Sequence, residues 1–191
     1  MKKLLLILIL SLSLQSSIAA DDISNFEIEG ISVGDSLLKY YNLNQIKKFH
    51  RYEYKSKKFY KLGLKDKSLI NKLVKYENIT FHFKENDNNY IIQHIGGNIF
   101  YDKIDDCLNE QKIITKEISE ALNVKLIYGE YFDSADKNTK YYQSEATIGK
   151  GGVIAITCFD WSKKAKKKGW NDNLSIEIYN SEAANFVRQN S

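Results

Sequence analysis

The sequence predicts a single α+β domain in which helices pack on a mainly antiparallel β-sheet. Two stretches decide this class. Residues 76–101 alternate apolar and polar side chains in two arms around an Asn- and Asp-rich turn, which is typical of a β-hairpin. Residues 102–123 instead place apolar side chains along one stripe at helical spacing. No linker, repeat or low-complexity segment divides the chain, so residues 21–191 are assigned to one domain.

Near the N terminus, a strand end, a turn and a short helix are predicted over FEIEGISVGDSLLKYYN. Phe26 and Ile28 alternate with glutamates, as in a half-buried strand. Gly30 permits the turn. Ser32 precedes Asp35 by three residues, which is the pattern of a helix capping box, and the Asp35 carboxylate suits the positive end of the helix dipole.

A second short helix is predicted to begin after Asn42, because Asn42 and Gln45 have the spacing of another N-terminal cap. His50 is expected to end this helix, where a cation suits the negative end of the dipole.

The middle of the chain predicts strands with one ambiguous segment between them. A strand is indicated by KKFYKLGL, and SLINKLVK fits either one helical turn or two. In the hairpin, Asn86 to Asn89 supply the turn residues. Gly96 and Gly97 predict a bulge or bend in its second arm.

The C-terminal half predicts one long helix, four strands and a final helix. The apolar stripe of the long helix consists of Ile104, Cys107, Leu108, Ile114, Ile118, Ala121 and Leu122. The strands are predicted over VKLIYGEYF, KYYQSEATIG, VIAITCFDW and LSIEIYN. Ser181 is expected to cap the final helix.

The first residues, 1–20, have the pattern of a secretory signal peptide. Lys2 and Lys3 form the positive region, Leu4 to Leu10 form the apolar region, and small residues end the segment at Ala20. No cysteine follows for lipid attachment, and no later run is long enough for a transmembrane segment. Cleavage after Ala20 would leave a periplasmic or secreted chain of 171 of the 191 residues.

The charge of the chain is close to balance. The formal net charge is +4, and it falls to +2 without the two lysines of the signal segment, which contains no acidic residue. Strong binding of nucleic acid by the whole domain is therefore not expected.

The two cysteines, Cys107 and Cys158, are expected to form a disulfide, because an exported chain with an even cysteine count usually oxidises them. Two buried free thiols are the alternative. A bond would join the long helix to a strand that is expected to be central.

Known catalytic and metal-binding patterns are not found in the sequence. The acidic segment from Asp133 to Asn138 departs from the calcium-loop pattern and is interpreted as a solvated loop. In a regular hairpin with a tight turn, His82 and His94 fall on opposite faces, so they are not expected to share a metal. No cofactor and no metal site are predicted.

The segment DWSKKAKKKGWNDN is the candidate binding site. Five lysines, namely Lys163, Lys164, Lys166, Lys167 and Lys168, lie between Trp161 and Trp170. Lysines flanked by tryptophans suit anionic surfaces such as lipid headgroups or acidic glycans. A solvated loop with inward-packed tryptophans is the alternative. Tyr141 and Tyr142 are adjacent and must face opposite sides of a strand, so these two do not form one platform for sugar stacking.

The motifs FEIEGISVGDSLLKYYN, NIFYDKIDDCLNEQKII and CFDWSKKAKKKGWNDNLSIEIYNSEAANFV resemble those of a group of small exported proteins of marine alphaproteobacteria. The pattern of that group is an IEGxSxGDSLL start, a cysteine early in a long helix and a CxDWS strand. The resemblance implies export and the pairing of Cys107 with Cys158, and it carries no catalytic residue. More distantly, residues 30–100 resemble small outer-membrane assembly lipoproteins.

The sequence therefore predicts an exported, non-enzymatic domain that binds a ligand or another component of the cell envelope. An outer-membrane assembly module is one alternative. A hydrolase of envelope polymers is another, and it would need two carboxylates held about 5–10 Å apart in a cleft.

Cleavage of the precursor near Ala20 is the first testable expectation, because small residues there precede two acidic residues. The intact mass of the protein from an envelope fraction should correspond to residues 21–191. A mass that retains residues 1–20 would contradict export by this route.

Overall fold

A computed structural model describes residues 23–64, 67–70 and 72–190 of the chain. The predicted signal segment and its cleavage after Ala20 lie outside these residues. The strands are β1 (Glu27–Ile28), β2 (Ile31–Ser32), β3 (His50–Glu53), β4 (Phe59–Gly63), β5 (Asn78–Lys84), β6 (His94–Tyr101), β7 (Ile127–Phe132), β8 (Lys140–Ile148), β9 (Gly152–Asp160) and β10 (Asp172–Tyr179). The α-helices are α1 (Leu43–Ile46), α2 (Lys67–Ile70), α3 (Ile104–Leu122), α4 (Lys163–Lys166) and α5 (Ser181–Asn190).

Eight of the strands form one sheet in the order β3-β4-β5-β6-β10-β9-β8-β7. Every neighbouring pair in it is antiparallel. The predicted α+β class, with helices on an antiparallel sheet, is confirmed. Strand β10 is inserted between β6 and β9, so the last strand of the chain joins the two halves of the sheet.

Helix α3 covers the part of one face formed by β6, β10 and β9, because its apolar stripe needs burial, and the N-terminal segments pack on the rest of the core of that face. Ile114 packs there with Ile156 of β9 and Leu174 of β10. The stripe also contains a buried polar residue, Gln111, which the apolar pattern had not included. Its amide donates to the backbone oxygens of Tyr142 at 2.6 Å and Ile156 at 2.8 Å, so its donors are satisfied inside the core.

The opposite face of the sheet is polar over much of its area and is covered by α5 only at one end. There Phe186 and Ala183 pack with Phe59, Val153 and Tyr179. We call this side the polar face. It carries the odd-numbered residues of β8, β9 and β10, because successive side chains of a strand point to opposite sides.

Of the caps predicted for α1 and α5, the first is confirmed and the second lies one residue earlier than predicted. The capping box of Asn42 and Gln45 is confirmed, since each side chain accepts a hydrogen bond from the backbone of the other residue. Ser181 was expected to cap α5, but the preceding residue does so: the side chain of Asn180 accepts from the N–H of Ala183 at 2.8 Å.

The predicted cap at Ser32 is wrong. Ser32 is buried in β2, which pairs with β1, and a short 3₁₀ helix begins later, capped by Ser36. Asp35 lies before that helix and interacts with the side chains of Lys39 and Tyr40. Backbone hydrogen bonds from Gly34 and to Asp35 tie this segment to Ile92 as a turn, and this long-range pairing overrides the local capping pattern.

The same pairing changes the hairpin between β5 and β6. Ile92 bonds to Gly34 and Asp35 rather than to β5, and Tyr90 adopts a positive φ of 51°. The strands therefore resume pairing at His82 and His94, which lie directly opposite one another. The prediction that these two histidines occupy opposite faces is wrong, because the connection is not a regular tight turn.

No bulge occurs at Gly96 and Gly97, where β6 pairs with β10 in unbroken register. The glycine at position 97 is instead required by close packing, since a Cβ there would lie 2.5 Å from the ring of Tyr76. His50 also differs from its prediction: it begins edge strand β3 rather than ending α1.

The predicted disulfide between Cys107 and Cys158 is present, and both residues are fully buried. It joins α3 to β9, with the two Cα atoms 6.0 Å apart. None of the helices in the described part of the chain has the length and hydropathy of a membrane span.

Replacing both cysteines by alanine should lower the free energy of unfolding by roughly 2–5 kcal/mol, because the unfolded chain regains the entropy of a loop of 51 residues. Urea denaturation of the oxidised protein and of the variant measures the difference. A loss below about 1 kcal/mol would contradict a stabilising role for the bond.

Candidate binding surface

The predicted lysine loop contains one turn of helix. Helix α4 joins β9 to β10, and the Ser162 hydroxyl caps it by accepting from the N–H of Ala165 at 3.1 Å. The Ser162 hydroxyl also donates to the Asp136 carboxylate, and the backbone N–H of Ser162 donates to the Thr139 hydroxyl at 3.1 Å. The acidic loop before β8 therefore anchors the lysine turn, and the hydrogen bond from Ser162 lowers the pKa of Asp136.

The five lysines of this segment have two different roles. Lys166, although its side chain is 42% exposed, is ion-paired, with its Nζ 2.7 Å from the buried carboxylate of Asp172 and 3.7 Å from the carboxylate of Asp160. The remaining four are exposed, and none of them reaches a carboxylate at salt-bridge distance within the described residues; they are Lys163, Lys164, Lys167 and Lys168. Four cations are thus left on the surface of one short turn.

The two tryptophans flank this turn and touch each other, with ring centroids 4.5 Å apart. Trp161 is half-buried, and its indole N–H donates to Asn173 at 3.0 Å. Trp170 is 53% exposed. We call the two tryptophans and the four exposed lysines the Lys–Trp surface.

The Lys–Trp surface continues into a row of aromatic rings along one end of the polar face. Trp161 stacks on Phe159, with centroids 5.4 Å apart and an interplanar angle of 11°. Phe159 contacts Tyr141 at 5.7 Å, and Tyr141 stacks on Tyr131 at 5.2 Å. We call these rings, from Tyr131 to Trp170, the aromatic row.

The aromatic row is a product of strand register. Tyr131 lies opposite Tyr141, and Tyr141 lies opposite Phe159, so the three side chains share one face on adjacent strands. Tyr142 points to the other face, as expected, and packs in the core against α3. Sequence reasoning tested only the neighbouring tyrosines and missed the cross-strand partners. The sequence contained a usable signal. Tyr131 and Tyr141 lie at equal distances from the centre of the segment between the two predicted strands, and an antiparallel hairpin places such residues opposite each other.

Hydrogen-bonding side chains flank the aromatic row on the polar face. The amide of Asn173 donates to Asn98 at 3.2 Å, and the hydroxyl of Thr157 donates to Gln143 at 3.4 Å. Asn98 and Gln143 are half-buried, so polar groups of both remain within reach of solvent. A ligand lying along the row would meet aromatic rings on one side and amides on the other.

Two carboxylates lie further along the polar face, on either side of Ala155. Glu177 accepts hydrogen bonds from Tyr179 and from Ser175. Glu145 accepts from Gln143 and forms a salt bridge with Arg188 of α5. Both side chains are therefore engaged in bonds within the protein.

His82 and His94 lie beneath α5 on the same face, with ring centroids 4.3 Å apart. Tyr54 bonds to Nε2 of His82 at 3.0 Å, and Tyr179 stacks on His94. Nδ1 of His82 and both ring nitrogens of His94 have no hydrogen-bond partner among the residues that the structure describes. No group of three or more His, Cys, Asp or Glu side chains within the described ranges is arranged to hold a metal.

Burial controls the protonation of this histidine pair. It lowers the pKa of His82 to about 3, with a further contribution from Lys61, and lowers the pKa of His94 well below its usual value of 6.5. The lowered pKa values favour the neutral form of both rings at neutral pH.

Comparison with known proteins finds no matching family model, curated protein or solved structure.

The buried histidines should make the protein sensitive to mild acid. Below pH 6.5 the unfolded chain binds protons that the folded histidines do not, so the free energy of unfolding should fall as the pH is lowered towards 3. The slope should approach about 1.4 kcal/mol per pH unit for each histidine. Urea denaturation between about pH 7.5 and about pH 4.5, which lies above the ordinary pKa of most carboxyl groups, measures the slope.

His94→Phe is the informative variant, since the ring nitrogens of His94 have no partners to lose. It should reduce the slope by about half, whereas His50→Gln, at an exposed position, should leave it unchanged. An equal slope in the wild type and in His94→Phe would contradict the assignment.

Proposed function

We propose that the protein is an exported, non-enzymatic binding protein that holds an acidic polysaccharide on the Lys–Trp surface and the aromatic row. The observation that carries the proposal is the continuity of these two features. Four exposed lysines lie on the short turn between Trp161 and Trp170, at one end of a row of five aromatic rings. A polymer that carries both anionic groups and sugar rings matches both features at once.

Charge supports an anionic ligand. The chain has 28 basic and 24 acidic residues, so its overall charge is small. Four exposed cations on one helical turn repel one another, and an anionic partner removes that repulsion. Attraction of this kind acts over the Debye length, about 8 Å at physiological salt, and weakens as salt increases.

The aromatic row supports a glycan rather than a lipid surface. Insertion into a membrane uses several apolar side chains that project beyond the cations. Beside these lysines, Trp170 is the one exposed tryptophan ring. Trp161 is held by Asn173. The row extends away from the lysines and has the amides of Asn98 and Gln143 beside it, which suits an elongated ligand with many hydroxyl groups.

The alternative of a polymer hydrolase has less support. It requires one carboxylate free to give or take a proton at the scissile bond. Glu177 accepts two hydrogen bonds within the protein, and Glu145 is paired with Arg188. Binding therefore accounts for the surface with fewer requirements.

The proposal is tested by replacing the four exposed lysines of the Lys–Trp surface with glutamine. Binding of polygalacturonate at low salt, followed by tryptophan fluorescence and by titration calorimetry, should weaken at least tenfold, which corresponds to about 1.4 kcal/mol. Neutral dextran should bind neither protein measurably. The melting temperature should be nearly unchanged, because these lysines have no salt bridge to lose.

The matched control removes the same charge elsewhere on the surface. It replaces four other exposed lysines with glutamine, namely Lys47, Lys72, Lys112 and Lys150. Equal weakening in the two variants would show only an effect of net charge and would contradict a site at the turn. Binding to phosphatidylglycerol vesicles without binding to the polysaccharide would contradict the glycan and assign the surface to lipid.

A further inference from the structure

The two edges of the sheet differ sharply in chemistry. Strand β3 forms one edge, has four residues, and pairs its Arg51 with both Glu53 and Glu85. Strand β7 forms the other edge, has six residues, and contains a single charged side chain, Glu130. Charged side chains and short length are the usual protection of an edge against pairing. Strand β3 has this protection and β7 does not.

The exposed side chains of β7 are mostly apolar on both faces of the sheet. Ile127 is 69% exposed, Tyr128 55%, Tyr131 47% and Phe132 59%. The outer side of the strand also presents backbone donors and acceptors that no strand of the described chain uses, since β8 is its only neighbour in the sheet. Such an edge suits the addition of another strand.

We infer that β7 pairs antiparallel with β7 of a second copy of this chain, around a two-fold axis at Gly129. A contact between identical surfaces requires that the strand complement itself. In this register Ile127 lies opposite the partner's Tyr131 on the polar face. Tyr128 lies opposite the partner's Glu130 on the face of α3. Each contact occurs twice, and no charge lies directly opposite a like charge.

The side chains near the proposed axis already have the arrangement that this pairing uses. Within one chain, the Tyr128 hydroxyl donates to the Glu130 carboxylate at 3.0 Å. In the proposed pair, the partner's Glu130 would lie beside a tyrosine hydroxyl that can donate to a glutamate in the same way. Tyr131 lies over Gly129, where a Cβ would be 2.4 Å from its hydroxyl oxygen. The absence of a side chain at position 129 thus lets the tyrosine ring cover the backbone at the axis.

A groove beside β7 is a second observation in favour of this partner. A cavity of about 730 Å³ lies between α3 and the strands β7 and β8, and Leu108, Leu126 and Tyr128 line it. The hydroxyl of Thr115, another lining residue, is buried and has no hydrogen-bond partner within the described part of the chain. In the proposed register the partner's Phe132 lies opposite Leu126, so it would pack against the same apolar wall.

Pairing about this axis keeps the polar faces of both copies on the same side of a continuous sheet, because a shift by an even number of residues preserves the face. Tyr131 ends the aromatic row at the paired edge, so the two rows would run towards each other across the axis. A long polymer could then contact both Lys–Trp surfaces, which strengthens binding through effective concentration. This consequence rests on the proposed function, whereas the pairing of β7 does not.

The oligomeric state of the protein tests the inference. Sedimentation equilibrium at protein concentrations from about 1 to about 500 µM covers weak to moderate association. It should show a monomer that converts to a dimer as the concentration rises. The variant Ile127→Lys/Tyr131→Lys places lysines opposite each other across the axis and should remain a monomer throughout. The control variant His50→Lys/Tyr52→Lys adds two lysines to the other edge, where Tyr52 is also 47% exposed, and should dimerise as the wild type does.

Amide hydrogen exchange gives a second measurement that needs no variant. Alternate amides of β7 should become protected as the protein concentration rises, and those of β3 should not. A wild type that stays monomeric at the highest concentration overturns the inference. A dimer that persists in Ile127→Lys/Tyr131→Lys, or that protects β3 instead of β7, also overturns it. Neither result bears on polysaccharide binding by the monomer, which is measured separately.

Discussion

The pairing of β9 with β8 on one side and β10 on the other is the interaction on which the rest of the structure depends. The first seven of its nine residues are buried, and both neighbours pair with it over most of their length. Its even-numbered residues, including Cys158, build the core beneath α3. Its odd-numbered residues run from Val153, under α5, to Phe159, in the aromatic row. One strand therefore positions the core and the candidate site together.

The polar face follows from unequal covering, because the long helix α3 and the N-terminal segments pack on one side of the wide sheet and only the short helix α5 packs on the other. Where α5 reaches, burial extends to the polar groups of His82, His94 and Tyr179. Their neutral forms are favoured there, since burial lowers the pKa of each histidine and raises the pKa of Tyr179. Beyond the end of α5, hydrogen-bonding side chains and aromatic rings remain accessible. A binding role follows from this second region and not from the buried polar cluster.

In the segment after β9, one lysine has a structural role and the other four are available to a ligand. Lys166 neutralises the buried carboxylate of Asp172, which would otherwise be costly to bury. Ser162 ties the same turn to Asp136, so the four remaining lysines extend from an anchored element rather than from a free loop. A rigid base reduces the entropy that a ligand must overcome on binding. The sequence shows five equivalent lysines, and the tertiary contacts make one of them different.

Features that depend on short-range periodicity were determined by the sequence itself. The α+β class, the long helix, the strands of the C-terminal half and the cap at Asn42 follow from side-chain spacing within a few residues, and the disulfide was expected from an even cysteine count in a chain predicted to be exported. The tertiary structure alone decided the features that depend on which distant segments pair. The bonds of Ile92 to Gly34 and Asp35 moved the helix cap away from Ser32 and placed His82 opposite His94. Strand register likewise assembled the aromatic row, and strand order left β7 at an edge. The physical reason is that helical and strand periodicity are local, whereas register and strand order are set by contacts between residues far apart in sequence, which no local pattern encodes.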